Sequence, residues 1–136
     1  MQQDKIVAIL DRAFRDLQAI YLFGSYGTVH EQRSSDVDIA VLLSPTGAKS
    51  VTAAELLAVQ CELEEALGRD VDLINIRMVN VVFQHEIVKT AQRIYCQDSY
   101  AADVFEMLTM SFYQKLNEER AEILDEIASS GRILAS

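Results

Sequence analysis

The segment Val37–Leu43, VDIAVLL, constrains the fold of this chain more than any other stretch. It alternates at first and then becomes continuously apolar, until Ser44 and Pro45 end it. A run this short, apolar without interruption and bounded by a turn signal, reads as a strand buried on both faces at its far end. Such a strand needs cover above and below its sheet, and the flanking segments supply it. Residues 4–17 place Ile6, Ile9, Leu10, Ala13 and Leu17 at helical spacing, which predicts a helix. Residues 19–23 are short, aromatic and β-branched, stop at Gly24, and predict a strand. Residues 24–35, rich in Gly, Ser, Thr and charge, predict a loop.

Thr52 and Glu55 have the spacing of a capping box. The stripe Leu56, Val59, Leu63 and Leu67 follows, and Gly68 stands where a left-handed C-terminal residue belongs. Residues 71–76 predict a strand, Val79, Val82, Phe83 and Ile87 a third helix, and 93–96 a short last strand. From Asp98 or Ser99 one long helix runs to about Ser129. Strands alternating with helices imply an α/β fold with a central sheet. Nothing in the chain separates two domains: residues 1–97 form the sheet unit, and 98–136 a C-terminal helix packed on it as part of the same domain.

Charge narrows the partners. Twelve basic residues against 21 acidic ones give a net charge of −9. Duplex binding relies on several Lys or Arg contacts to phosphate, so direct nucleic-acid binding is excluded, and a protein with basic surface is the favoured macromolecular partner. A small polyanion could bind if metal ions brought positive charge with it. No apolar run approaches the ~20 residues of a bilayer crossing, and the N-terminal MQQDK is no secretory leader. Cys61 and Cys96 read as small core residues rather than a disulfide framework. A reduced, cytoplasmic protein is expected.

The chemistry concentrates in YLFGSYGTVHEQRSSDVDIAVLL. Asp36 and Asp38, two apart at a strand start, leave the same face about 6.6 Å from each other. Two carboxylates on one face repel, and divalent metal removes that objection: a pair of Mg²⁺ ions bridged by such groups clamps phosphates in nucleotidyl transfer. Gly24 and Ser25 follow the preceding strand directly. Glycine lets backbone N–H groups approach a phosphate, and the serine hydroxyl adds a donor. Either half alone is weak; together they read G-S-x10-D-x-D across strand, loop and strand. His85 on an amphipathic helix and His30 in the loop read as surface residues, and Tyr26 as a base-stacking or loop-capping ring.

This pattern resembles the nucleotidyltransferase superfamily that includes DNA polymerase β-like and aminoglycoside-modifying enzymes. The short chain resembles its minimal branch, the MNT-type antitoxins paired with HEPN ribonuclease toxins. The resemblance spans roughly residues 5–97. It implies a third carboxylate on the neighbouring strand, which falls on Asp72 in RDVDLINI, with Asp70 as a competitor at the strand's edge. It implies transfer of AMP from ATP with pyrophosphate leaving. Asp36, Asp38 and Asp72 would be catalytic and hold two Mg²⁺ ions, with Gly24 and Ser25 on the terminal phosphates. The implied acceptor is a tyrosine hydroxyl of a cognate HEPN toxin, held in a hetero-oligomer. One departure stands out: related enzymes often carry arginines just after the Gly-Ser pair, whereas this chain has Tyr26, Gly27 and Thr28, leaving Arg33 or Lys49 to grip the triphosphate. The rivals are a non-catalytic antitoxin that masks its toxin by contact, and a small-molecule transferase of the aminoglycoside type.

The long helix carries the last expectation. Tyr100, Val104, Met107, Leu108, Ser111 and Leu116 form the stripe expected to pack on the sheet. Phe105, Met110, Phe112 and Tyr113 fall outside it and suggest an interface. The acidic residues beyond Leu116 suit steering towards a basic partner.

Overall fold

The computed structural model describes residues 2–24 and 36–130. In chain order these form α1 (Gln2–Ala13), β1 (Leu17–Phe23), β2 (Val37–Leu43), α2 (Pro45–Ser50), α3 (Ala53–Leu67), β3 (Val71–Asn75), a 3₁₀ turn (Ile76–Met78), α4 (Val81–Thr90), β4 (Gln92–Cys96) and α5 (Ser99–Ser130). The sheet order is β3-β2-β1-β4, with β1 antiparallel to both β2 and β4, and β2 parallel to β3. It is a mixed central sheet, an instance of the α/β fold expected from the alternation of strands and helices.

β2 is covered on both faces, as its apolar run demands. Val37, Ile39, Val41 and Leu43 point into a core with α1 and α3, including Ile6, Leu10, Leu63 and Leu67. Ala40 and Leu42 point the other way, into a second core with Ile87 of α4 and with Ala102 and Phe105 of α5. Asp38 is on this second face, at the β2 end where burial gives way to solvent.

The strands expected over 71–76 and 93–96 shift by one residue at one end, and three larger differences concern helices. The first helix ends at Ala13, not Leu17; Leu17 satisfies the helical spacing, but it pairs with Leu43 and opens β1. Ser44 and Pro45 end β2 and also start α2: the Ser44 hydroxyl accepts from the Gly47 N–H at 3.1 Å and donates to the Asp16 carboxylate at 2.7 Å. Proline at the first helical position is pre-shaped for that role. The third helix begins at Val81, capped by the Asn80 side chain, which accepts from the Phe83 N–H.

The capping box holds as expected, with Thr52 Oγ1 accepting from the Glu55 N–H at 3.1 Å and Gly68 closing α3 at φ +66°. Cys61 is a correction: it lies on the exposed side of α3, and Cys96 is half-buried.

The roll of α5 is a second correction. Its sheet-facing residues are Ala102, Phe105 and Thr109, whereas Tyr100 and Met107 are exposed. The reason is a polar anchor. Glu106 accepts from the Tyr21 hydroxyl at 2.7 Å and from Arg93 at 2.8 Å, which turns its neighbours Phe105 and Thr109 onto the sheet. The Thr109 hydroxyl is satisfied within the helix, donating to the Phe105 carbonyl. Among the described residues no helix is long and apolar enough to cross a membrane.

Candidate active site

The site forms where β1 ends and β2 and β3 begin. Because β2 and β3 are parallel, Asp38 and Asp72 are direct cross-strand partners, and because β1 is antiparallel to β2, Phe23 lies opposite Asp38 on the other side. Side chains paired in this way share a face, so both carboxylates emerge on the α4/α5 side. Asp36 precedes β2 and is exposed.

β3 is an edge strand, and its free N–H groups are covered from α3. The Val71 N–H donates to Glu64 and the Leu73 N–H to Gln60, at 3.0 and 3.1 Å. Asp72 is thus fixed on both sides by backbone ties. The Val37 N–H donates to the Asp70 carbonyl at 2.9 Å, which locks the strand starts together. Asp72, expected within an apolar strand, is exposed on the site face of β3.

The electrostatics follow from this crowding. Burial first, then the negative charges of Asp72 and Asp36, push the Asp38 carboxyl above its ordinary range. Asp72, not Asp70, is therefore the strand-β3 carboxylate coupled to Asp38. Gly24 completes the corner at φ +74°, a left-handed conformation, and a Cβ there would overlap the Asp38 carboxylate, with Cγ at 3.2 Å. Only glycine combines that backbone with that approach.

A hard divalent cation fits such a donor set: carboxylate oxygens are its preferred ligands, and its charge relieves the repulsion that raises Asp38. Among the described residues no three His, Cys, Asp or Glu side chains are already gathered closely enough to enclose an ion. Asp36 and Asp72 are exposed and have room to turn.

Ser25, Tyr26, His30 and Arg33 lie outside the described residues. Lys49 does not belong to this site: it is in α2, beyond the opposite end of β2. His85 stacks flat on Tyr113 of α5, centroids 3.6 Å apart, and so fastens α4 to α5. One feature escapes a sequence reading, the Phe23–Phe83 edge-to-face pair at 6.0 Å, which walls the site beside Asp38. A strand-end aromatic next to a glycine is the only sequence signal for it.

A β1–β2 hairpin feeding a parallel β2–β3 pair, with acidic residues in register at the strand starts and a left-handed glycine against them, defines a nucleotidyltransferase. Residues 4–100 match the family described as Polymerase beta, Nucleotidyltransferase, and the chain belongs to it. Members of that family generally use ATP and a divalent metal. Over 132 residues the chain is 34% identical to the protein adenylyltransferase MntA of Shewanella oneidensis, covering 96% of this chain and 90% of that protein. It also resembles a chain of a toxin–antitoxin complex crystallised with AMP-PNP, with TM-score 0.80 and 31% identity over 94% of this chain and 99% of the other. A third likeness, with TM-score 0.75, 31% identity and the same coverage, is to a complex of the tri-AMPylated Shewanella oneidensis HEPN toxin with its MNT antitoxin.

Proposed function

We propose that this chain is the antitoxin of a toxin–antitoxin pair, a protein adenylyltransferase that moves AMP from ATP to a tyrosine hydroxyl of a cognate HEPN ribonuclease toxin. The observation that carries this reading is the in-register Asp38–Asp72 pair, with Asp36 beside it and Gly24 against it, in a chain 34% identical to a protein adenylyltransferase.

The acceptor oxygen attacks the α-phosphorus of ATP. A new O–P bond forms, the bond from the α-phosphorus to the bridging oxygen breaks, and pyrophosphate leaves with the electron pair. Gly24 and Ser25 hold the terminal phosphates through backbone N–H groups and a hydroxyl. Asp36, Asp38 and Asp72 would hold two Mg²⁺ ions, which would supply Lewis-acid charge and lower the acceptor's pKa. Asp72 would help deprotonate the attacking hydroxyl. Residues 1–97 carry this chemistry, and 98–136 extend it towards the partner. The added phosphate, placed beside a ribonuclease site built to bind RNA, blocks that site. The setting is the cytoplasm.

The test is to incubate the chain, Mg²⁺ and the toxin with ATP labelled at either the α- or the γ-phosphate. Label from the α-position alone is expected on the toxin, with pyrophosphate released. Transfer of γ-label, or of none, overturns the reading.

A further inference from the structure

At the end of the sheet opposite the carboxylates lies a groove of about 540 Å³. Gln18 at the start of β1, Lys49 of α2 and the 3₁₀-turn residues Arg77 and Met78 form its floor and one side. α5 forms the other with a single ridge, Tyr100, Val104, Leu108 and Phe112, each four residues on from the last. Those side chains are large and open: Tyr100 is 79% exposed, Phe112 and Met78 58%, and Leu108 43%. A contiguous apolar surface of this kind marks an interaction site.

Of the two cations in the lining, Lys49 and Arg77, the second is already committed. Arg77 donates to the Leu43 carbonyl and to Gln18, and its guanidinium stands 5.2 Å from the centre of the Phe105 ring. The groove therefore suits apolar side chains of a protein rather than a nucleotide.

We infer that this groove docks the toxin, an inference that rests on the partner assigned under Proposed function. Charge decides against a second copy of the chain. Past the groove α5 carries Glu118, Glu119, Glu122, Asp125 and Glu126 against Lys115 and Arg120, within a chain of net charge −9. Two such helices repel, whereas a protein whose site binds RNA presents the complementary positive surface. Docking and chemistry then sit at opposite ends of β2, about 20 Å apart at ~3.3 Å per residue. The toxin is gripped at one end and modified at the other.

The experiment compares two double variants of the full chain, each shown by circular dichroism to be folded. Leu108→Ser with Phe112→Ser empties the ridge; Met110→Ser with Leu124→Ser removes exposed apolar area from the far side of α5. The ridge variant is expected to bind toxin at least ~10-fold more weakly, and to raise the KM for toxin by a like factor. ATP affinity and kcat at saturating toxin should stay within about 2-fold, and the far-side variant should match the wild type. Unchanged toxin affinity in the ridge variant, or an equal loss in the far-side variant, overturns the docking role. So does wild-type self-association that the ridge variant abolishes, because a second copy would then occupy the groove. Toxin affinity is read without ATP, so a toxin that binds at the ridge but never receives AMP would defeat the adenylyltransferase reading and leave the groove intact.

Discussion

Two glycines with nearly the same backbone, Gly24 at φ +74° and Gly68 at φ +66°, separate site chemistry from ordinary helix capping. Nothing lies within 4 Å of a Cβ added at Gly68, whereas one added at Gly24 runs into Asp38. Gly68→Ala should cost about 1–2 kcal/mol of stability, the usual strain of a left-handed alanine, and leave AMP transfer unchanged. Gly24→Ala should add to that strain a displaced carboxylate, and lower transfer by on the order of 100-fold. Transfer at the wild-type rate by Gly24→Ala would contradict the contact. Asp38 also links stability to pH. Its carboxyl is pushed above the ordinary value of 3.8, so the folded chain binds that proton more tightly than the unfolded chain. The metal-free protein gains stability from this below the ordinary aspartate range and loses it as pH rises through the raised value. Asp38→Asn removes the effect: without metal, thermal melts from about pH 4 to 7 should show a flatter decline and a higher Tm at pH 7 than the wild type. A lower Tm at pH 7 would show that Asp38 stabilises the fold rather than straining it.

At the scale of elements, how much could be read from the sequence depended on whether burial alone decides the outcome. β2 was legible because an uninterrupted apolar run has one solution, a strand covered on both faces, and α3 was legible from its two caps. α2 was hidden because six residues are too few to show a period, and Ser44-Pro45 signals a stop as readily as a start. The roll of α5 was illegible for a different reason. Its first half is apolar on several sides, so periodicity offers more than one inward face, and the choice falls to the long-range bond between Glu106 and Tyr21. Burial and the Glu106 carboxylate hold the Tyr21 hydroxyl well above its ordinary pKa, so it stays a donor at every physiological pH. Tyr21→Phe should therefore cost about 0.5–1.5 kcal/mol by denaturant midpoint, with the α5 end of the sheet loosening first in hydrogen exchange. An unchanged midpoint would mean that Arg93 alone sets the roll.

For the whole molecule, the arrangement is a compact sheet with its acidic site at one end and a helix that outreaches it. The two flanks of the motif G-S-x10-D-x-D were legible, Gly24 closing one strand and Asp36 preceding the next, and the choice of Asp72 over Asp70 agrees with the parallel register that pairs Asp72 with Asp38. Beyond Leu116, α5 is almost wholly exposed and contributes no fully buried side chain. Deleting residues from Leu116 onward should leave the fold and ATP binding intact while slowing toxin modification at sub-saturating toxin, most strongly at low salt, where acidic steering is greatest. Equal rates for truncated and full-length chain would remove that role from the distal helix. The most direct measurement lies at the carboxylates themselves: the rate of AMP transfer to the toxin by Asp38→Asn, which keeps the shape of the side chain and removes its charge. A loss of at least ~10³-fold with folding and toxin binding retained is expected, because electrostatic stabilisation is most of the catalysis in such sites. Near-normal transfer by the folded Asn variant would contradict a catalytic metal site at Asp36, Asp38 and Asp72.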